Sequence, residues 1–201
     1  MITEVYSPRL TQPSQTNKYY IKDKTSTTTY GGYNKCIVIN TTTGSVLPNC
    51  TGYAWGRFME CQTNVHSCRL SRGNAGNWYG NIIDGYQRGS TPKLGSVMCW
   101  SNPQTGGHVA IVERIDNDGT ILTSNSAYNG SRFYLKTFRT GHYNFSVRNK
   151  GTYVFQGFIY NPTNFLPPSP APPTPTPTRE TKKRKFPWIL YYRQLRNRRI
   201  L

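Results

Sequence analysis

One sustained helical period, followed by short runs of strand type, limits this chain to a mixed fold. From Cys50, the residues Ala54, Phe58 and Cys61 follow at spacings of four, eight and eleven, which places them on one helix face. Gly52 and Gly56 weaken that helix without forbidding it. A second, shorter helix is expected within residues 74–83, with Trp78, Ile82 and Ile83 turned inward. Beyond it, residues 95–100, 108–115, 120–126, 133–138 and 153–160 are short apolar runs bounded by turn residues, and each predicts a strand. Asp116-Asn117-Asp118-Gly119 is a hairpin signal between the second and third of them. A helix followed by consecutive antiparallel strands is an α+β layout, with helices on one face of a sheet.

The flanks differ in character. Residues 1–30 are polar and Thr-rich around a small apolar patch, Tyr19, Tyr20 and Ile21, and predict a loosely structured lead-in. Residues 36–39 read as a short strand and 41–49 as a loop. Seven of the fourteen prolines fall between Pro167 and Thr178, so residues 166–178 predict an extended polyproline linker, rising about 3.1 Å per residue. The folded domain is therefore expected over 31–165. The tail, 179–201, holds nine basic residues and one acid around the apolar stretch Phe186 to Tyr192. That is close to half of the chain's net charge of +17.

Charge of this size concerns partners, not fold. Nucleic acid, an anionic membrane surface and anionic wall polymer all fit it. No recognition helix, RNA-recognition pattern or zinc finger accompanies the charge, which argues against nucleic acid. The tail reads either as a solvated extension or as an interfacial segment, with Trp188, Ile189, Leu190, Tyr191 and Tyr192 against a membrane or wall polymer. Five cysteines at irregular spacing make a poor disulfide framework and fit a reducing compartment during synthesis. Met1 to Leu10 carry no apolar core of signal-peptide length, so cytoplasmic synthesis and release by another route are expected. No run approaches the roughly 18 apolar residues of a membrane span.

Three residues form a candidate catalytic set. A thiol nucleophile needs a stabilised thiolate, a base in reach and a group that orients the base. Cys50 stands where a loop meets a helix, after Pro48-Asn49, where unpaired amides and the helix dipole favour negative charge. His108 opens a strand after Gly106-Gly107, on one face with Ala110 and Val112. Asn125, on the following strand, is placed to hold the second ring nitrogen of His108. Trp78, Trp100 and Tyr128 are candidate aromatic walls of a substrate cleft, weighed against a core role for each. Cys61, His66 and Cys68 fall short of the four donors of a zinc site unless Cys36 or Cys99 joins them, so no metal is expected; His142 is expected to face solvent.

The segments from Asn49 to Arg57, Gly95 to Trp100, Gly107 to Glu113 and Ser124 to Tyr128, closed by Gly157-Phe158-Ile159-Tyr160, resemble the CHAP family of cysteine- and histidine-dependent amidohydrolases and peptidases. The resemblance covers about residues 30–161. It implies a papain-like fold, with the helix that carries the nucleophile packed on an antiparallel β-sheet. It also implies cleavage of amide bonds in bacterial peptidoglycan without a cofactor, as in phage endolysins, virion-borne lysins and autolysins. Cys50 takes the nucleophile position, His108 the base position, and Asn125 stands where many members carry Glu. An amide there orients a neutral imidazole but does not balance an imidazolium. Some members hold calcium in an acidic loop before the nucleophile; residues 40–45 contain no Asp or Glu, so no calcium site is expected there. The alternatives are a basic nucleic-acid-binding protein without catalysis and a cysteine peptidase acting on another substrate. Oligomeric state is left open.

Overall fold

The computed structural model describes residues 3–14, 17, 19, 49–62, 68–71, 73–127 and 133–168. The expected strand at 36–39, the linker beyond Pro168 and the tail lie outside the described residues.

Helix α1 runs Cys50–Glu60. Its start is fixed by Asn49, whose side-chain oxygen accepts the Gly52 N–H at 2.8 Å and the Thr51 hydroxyl at 2.7 Å. An Asn cap of this kind is worth about 1 kcal/mol. The second helix is expected within 74–83; two 3-10 turns stand there instead, Ala75–Asn77 and Ile82–Asp84. Trp78 is fully buried, but Ile82 and Ile83 are 74% and 88% exposed, so their expected inward orientation is wrong. Tight turns of three residues do not sustain the 3.6-residue face on which that expectation rested.

The strands are β1 (Thr3–Val5), β2 (Arg88–Gly89), β3 (Val97–Ser101), β4 (His108–Ile115), β5 (Ile121–Asn125), β6 (Tyr134–Phe138), β7 (Phe145–Val147), β8 (Gly151–Ile159) and β9 (Asn164–Leu166). Strands β2-β8-β3-β4-β5-β6 lie side by side in one antiparallel sheet, with β7 paired to β8. Alternation sorts the residues of the sheet onto two faces. Val97, Cys99, Val109, Ile111 and Ile159 pack against Ala54, Trp55 and Phe58 of α1. Met98, Trp100, Ala110, Val112 and Phe158 pack on the other face with Ile121, Phe138, Tyr143 and Tyr153. The architecture is α+β, with a single long helix among the described residues laid on an antiparallel sheet.

The loosely structured lead-in is corrected at its beginning. β1 pairs in parallel with β9, and the Tyr6 N–H extends the pairing to the Leu166 carbonyl at 2.9 Å. Tyr6 is buried and donates its hydroxyl hydrogen to Glu113 Oε2 at 2.8 Å. The order comes from burying an aromatic ring and pairing a carboxylate, which a reading based on polarity misses.

Candidate active site

Cys50 is the first residue of α1 and is half-buried. Because Asn49 caps Gly52, the amides of Cys50 and Thr51 remain beside the thiol. Burial raises the thiol pKa to about 11, against the opposing pull of backbone N–H groups from Val109, Thr51 and Cys50 itself. The Val109 amide brings the start of β4 to the sulfur, and the residue before it is His108.

The turn that delivers His108 is tightly constrained. Gly107 adopts φ +89°, and a Cβ there would strike the Gly76 backbone and the Trp100 carbonyl, so only glycine fits. The Gly76 N–H also donates to the Gly106 carbonyl at 2.7 Å. His108 is buried, its ring 5.6 Å from Trp100 and 6.2 Å from both Phe145 and Tyr153, centroid to centroid. Burial lowers its pKa to about 4; the bond to Asn125 opposes this, and the charge of Lys136 adds to it.

His108 Nε2 lies 3.0 Å from Asn125 Oδ1 and 3.5 Å from the Tyr134 hydroxyl. The Asn125 amide group donates to the Thr123 carbonyl at 3.1 Å and to Thr123 Oγ1 at 3.0 Å, and Thr123 Oγ1 donates to the Lys136 carbonyl at 3.0 Å. This chain of donors fixes the orientation of the amide. Thr123 spends its hydrogen on a carbonyl and so accepts from Asn125 Nδ2, leaving Oδ1 for the imidazole. An acceptor at Nε2 keeps the ring proton there and leaves Nδ1 as the basic nitrogen.

Cys50 and His108 line one cavity of about 610 Å³, together with Asn74, Gly107, Tyr134, Phe145, Lys150 and Tyr153. Trp78 and Trp100 do not line it. Trp78 is fully buried against α1 and donates its indole N–H to the Gly73 carbonyl at 2.9 Å. Trp100 lies beneath the imidazole and donates to the Tyr143 carbonyl at 2.6 Å. Large indoles bury extensive apolar area and so are readily taken by the core. Tyr128, Cys36, His66 and residues 40–45 lie outside the described residues, and His142 is exposed. The aromatic wall comes instead from Tyr134, Phe145 and Tyr153, the last two stacked at 4.5 Å. Tyr134 and Tyr153 fall in expected strands, but β7, which carries Phe145, is too short to show a period.

A helix with a cysteine at its first turn, laid on an antiparallel sheet whose central strand begins with a histidine, is the papain-like arrangement. Within that class, residues 40–127 match the family described as CHAP domain. A probable autolysin, SsaALP, from Staphylococcus aureus is 40% identical over 80 residues, covering 39% of this chain and 29% of the relative. An N-acetylmuramoyl-L-alanine amidase, sle1, from the same species is 33% identical over 126 residues, covering 57% of this chain and 33% of the relative. The matches thus span about a third of these curated relatives. A solved N-acetylmuramoyl-L-alanine amidase from Staphylococcus aureus is 27% identical, with a TM-score of 0.39, over 54% of this chain and 30% of that one.

Proposed function

We propose that this protein is a peptidoglycan amidohydrolase that uses Cys50 as nucleophile, His108 as base and Asn125 as the group that orients the base. The observation that carries the reading is the shared cleft of Cys50 and His108, with the imidazole tautomer set by Asn125. The resting pair is a neutral thiol and a neutral imidazole, in keeping with pKa values of about 11 and about 4. Proton transfer from Sγ to Nδ1 is therefore coupled to attack. The sulfur adds to the amide carbonyl carbon while the imidazole takes the thiol proton. The oxygen gains negative charge at the first turn of α1, where the Cys50 and Thr51 amides favour it. Collapse breaks the C–N bond, and Nδ1–H returns its proton to the leaving amine. A water, deprotonated by the same nitrogen, then hydrolyses the thioester and releases a carboxylic acid and the free thiol.

The CHAP domain and the autolysin and amidase relatives support peptidoglycan as the substrate. The amidase among those relatives favours the bond between muramic acid and L-alanine. A phage-type lysin, released at host lysis or carried in the virion, is the fuller reading, and detection of the chain in purified virions would assign it to entry. The first test incubates wild type and Cys50→Ala with Gram-positive walls under reducing conditions and identifies the new termini by mass spectrometry. Clearing by wild type alone, with new N-terminal alanine, is the expected result. Walls left intact by both proteins would overturn the reading.

A further inference from the structure

Among its described lining residues the cleft has a cation and no anion. Among its lining residues Lys150 alone carries a permanent charge, and no carboxylate lines it. Among the described residues the acids are already committed or remote. Glu60, Asp84, Glu113 and Asp116 are held in ion pairs with Arg9, Arg57, Arg88 and Arg114, and neither Glu4 nor Asp118 reaches the cleft. Lys150 has no carboxylate partner among the described residues.

Its placement is built. Lys150 sits in the turn between β7 and β8, where its N–H donates to the Val147 carbonyl at 2.9 Å. Asn149 before it adopts φ +63°, the left-handed conformation that Asn tolerates better than most residues, and Gly151 after it adopts φ +69°. The Lys150 carbonyl accepts from Asn102 Nδ2 at 2.7 Å. The Oδ1 of the same buried Asn102 accepts the Gln104 and Thr105 amides at 2.8 and 3.2 Å, within the loop that leads to His108. One side chain thus ties the turn bearing Lys150 to the loop that delivers the imidazole.

We propose that Lys150 is a specificity residue that binds a free carboxylate of the peptide stem next to the scissile amide. The proposal rests on the peptidoglycan reading above. An ammonium at the rim of an open cleft forms a partly solvated ion pair, which corresponds to roughly a fivefold effect on kcat/KM.

The test measures initial rates on walls stripped of teichoic acid, either untreated or with their carboxylates converted to amides by carbodiimide and ammonia. Wild type, Lys150→Gln and Lys150→Arg are compared. Lys93→Gln, which removes the same charge outside the cleft, controls for general attraction to the wall. Amidation is expected to slow wild type and Lys150→Arg about fivefold. Lys150→Gln should be slowed to that level on untreated walls and lose no more on amidated ones, while Lys93→Gln follows wild type. If Lys150→Gln matches wild type on untreated walls, or if amidation slows Lys150→Gln as much as wild type, the carboxylate site is overturned and the hydrolase reading stands. Wild type inert on both kinds of wall overturns the hydrolase reading itself, and this proposal with it.

Discussion

The two ends of α1 treat polar groups in opposite ways. Near its last turn, Arg57 is buried and donates from Nε to Glu113 Oε1 at 3.0 Å and from Nη2 to Oε2 at 2.9 Å. Glu113 also accepts from Ser124 at 2.6 Å, Tyr6 at 2.8 Å and the Arg9 amide at 2.7 Å, and Tyr53 donates to Ser124 at 2.7 Å. Glu60 pairs with both Arg57 and Arg9, and these bonds hold its pKa below the usual carboxylate range against the opposing effect of burial. Two cations and two anions balance there, each bonded to neighbouring protein groups. At the first turn Cys50 and Thr51 line a cleft together with His108. Charge is neutralised where the fold needs it and is kept uncommitted where chemistry needs it. Burial of an unpaired ion costs several kcal/mol, so the saturated end can tolerate no missing partner. The end at Cys50 can, because burial keeps its thiol and the His108 imidazole neutral.

The contrast yields its largest effect at the nucleophile. Cys50→Ala should lower wall hydrolysis at least about a thousandfold, since both chemical steps pass through the sulfur. Its melting temperature should stay within a few degrees of wild type, because only one half-buried neutral atom is lost. Hydrolysis assays beside calorimetry check both halves. A large loss of stability would mean that the first turn is structural after all.

Arg57→Met should do the reverse. It strands Glu113 in the interior and is expected to cost about 3–5 kcal/mol of stability, read from urea titration. The molecules that remain folded should keep near-normal turnover per active site. Adding Glu113→Gln to Arg57→Met should recover part of the loss, because it removes the stranded charge. A mild effect of Arg57→Met alone would mean that water reaches Glu113.

What the sequence made legible follows the same division. The start of α1 at Cys50 and the strands β3 to β6 and β8 were readable because period and turn chemistry are local properties. The placing of His108 near Asn125 follows from one hairpin, so a short-range reading reached it. The parallel pairing of β1 with β9 was not readable, since it joins the polar beginning of the chain to residues about 160 positions later. Nor was the burial of Arg57 and Glu113, which depends on Tyr6 and Arg9 meeting them from far away in the sequence. Of the candidate wall residues Trp78, Trp100 and Tyr128, the core takes the two tryptophans, and Tyr128 lies outside the described residues. Phe145, Lys150 and Tyr153 reach the cleft because the β7–β8 hairpin folds back beside His108, a contact that no local pattern encodes.

The orienting pair tests the catalytic end more finely. Asn125→Ala should lower kcat by roughly ten- to a hundredfold, with KM little changed, as the imidazole loses its tautomer. Thr123→Val removes the side-chain acceptor of the Asn125 amide, leaving the Thr123 carbonyl, and should lose about half of that effect on a logarithmic scale, while Thr123→Ser restores activity. Equal activity of Thr123→Val and wild type would show that the amide needs no second anchor.

The smallest effect concerns the charge behind the wall. Lys136 places its ammonium 3.3 Å from the Phe145 ring centroid and 5.0 Å from that of Phe138, and its positive charge adds to the burial that lowers the His108 pKa to about 4. In the proposed mechanism the base works unprotonated, so kcat/KM should fall as pH drops through about 4, well below the ordinary imidazole range. Between about pH 6.5 and 4 the unfolded chain gains a proton that the folded chain refuses, so stability declines across that window by up to about 3 kcal/mol. Lys136→Met keeps an apolar stem over both rings and removes the charge. With less repulsion the imidazolium is easier to form, the folded pKa rises, and the acid limb of kcat/KM should move up by a few tenths of a pH unit. The acid loss of stability should shrink in step. A limb that moves while stability does not would place the charge effect in the enzyme–substrate encounter instead of at His108. A limb that stays fixed while Asn125→Asp raises it would leave Asn125 alone in control of the base.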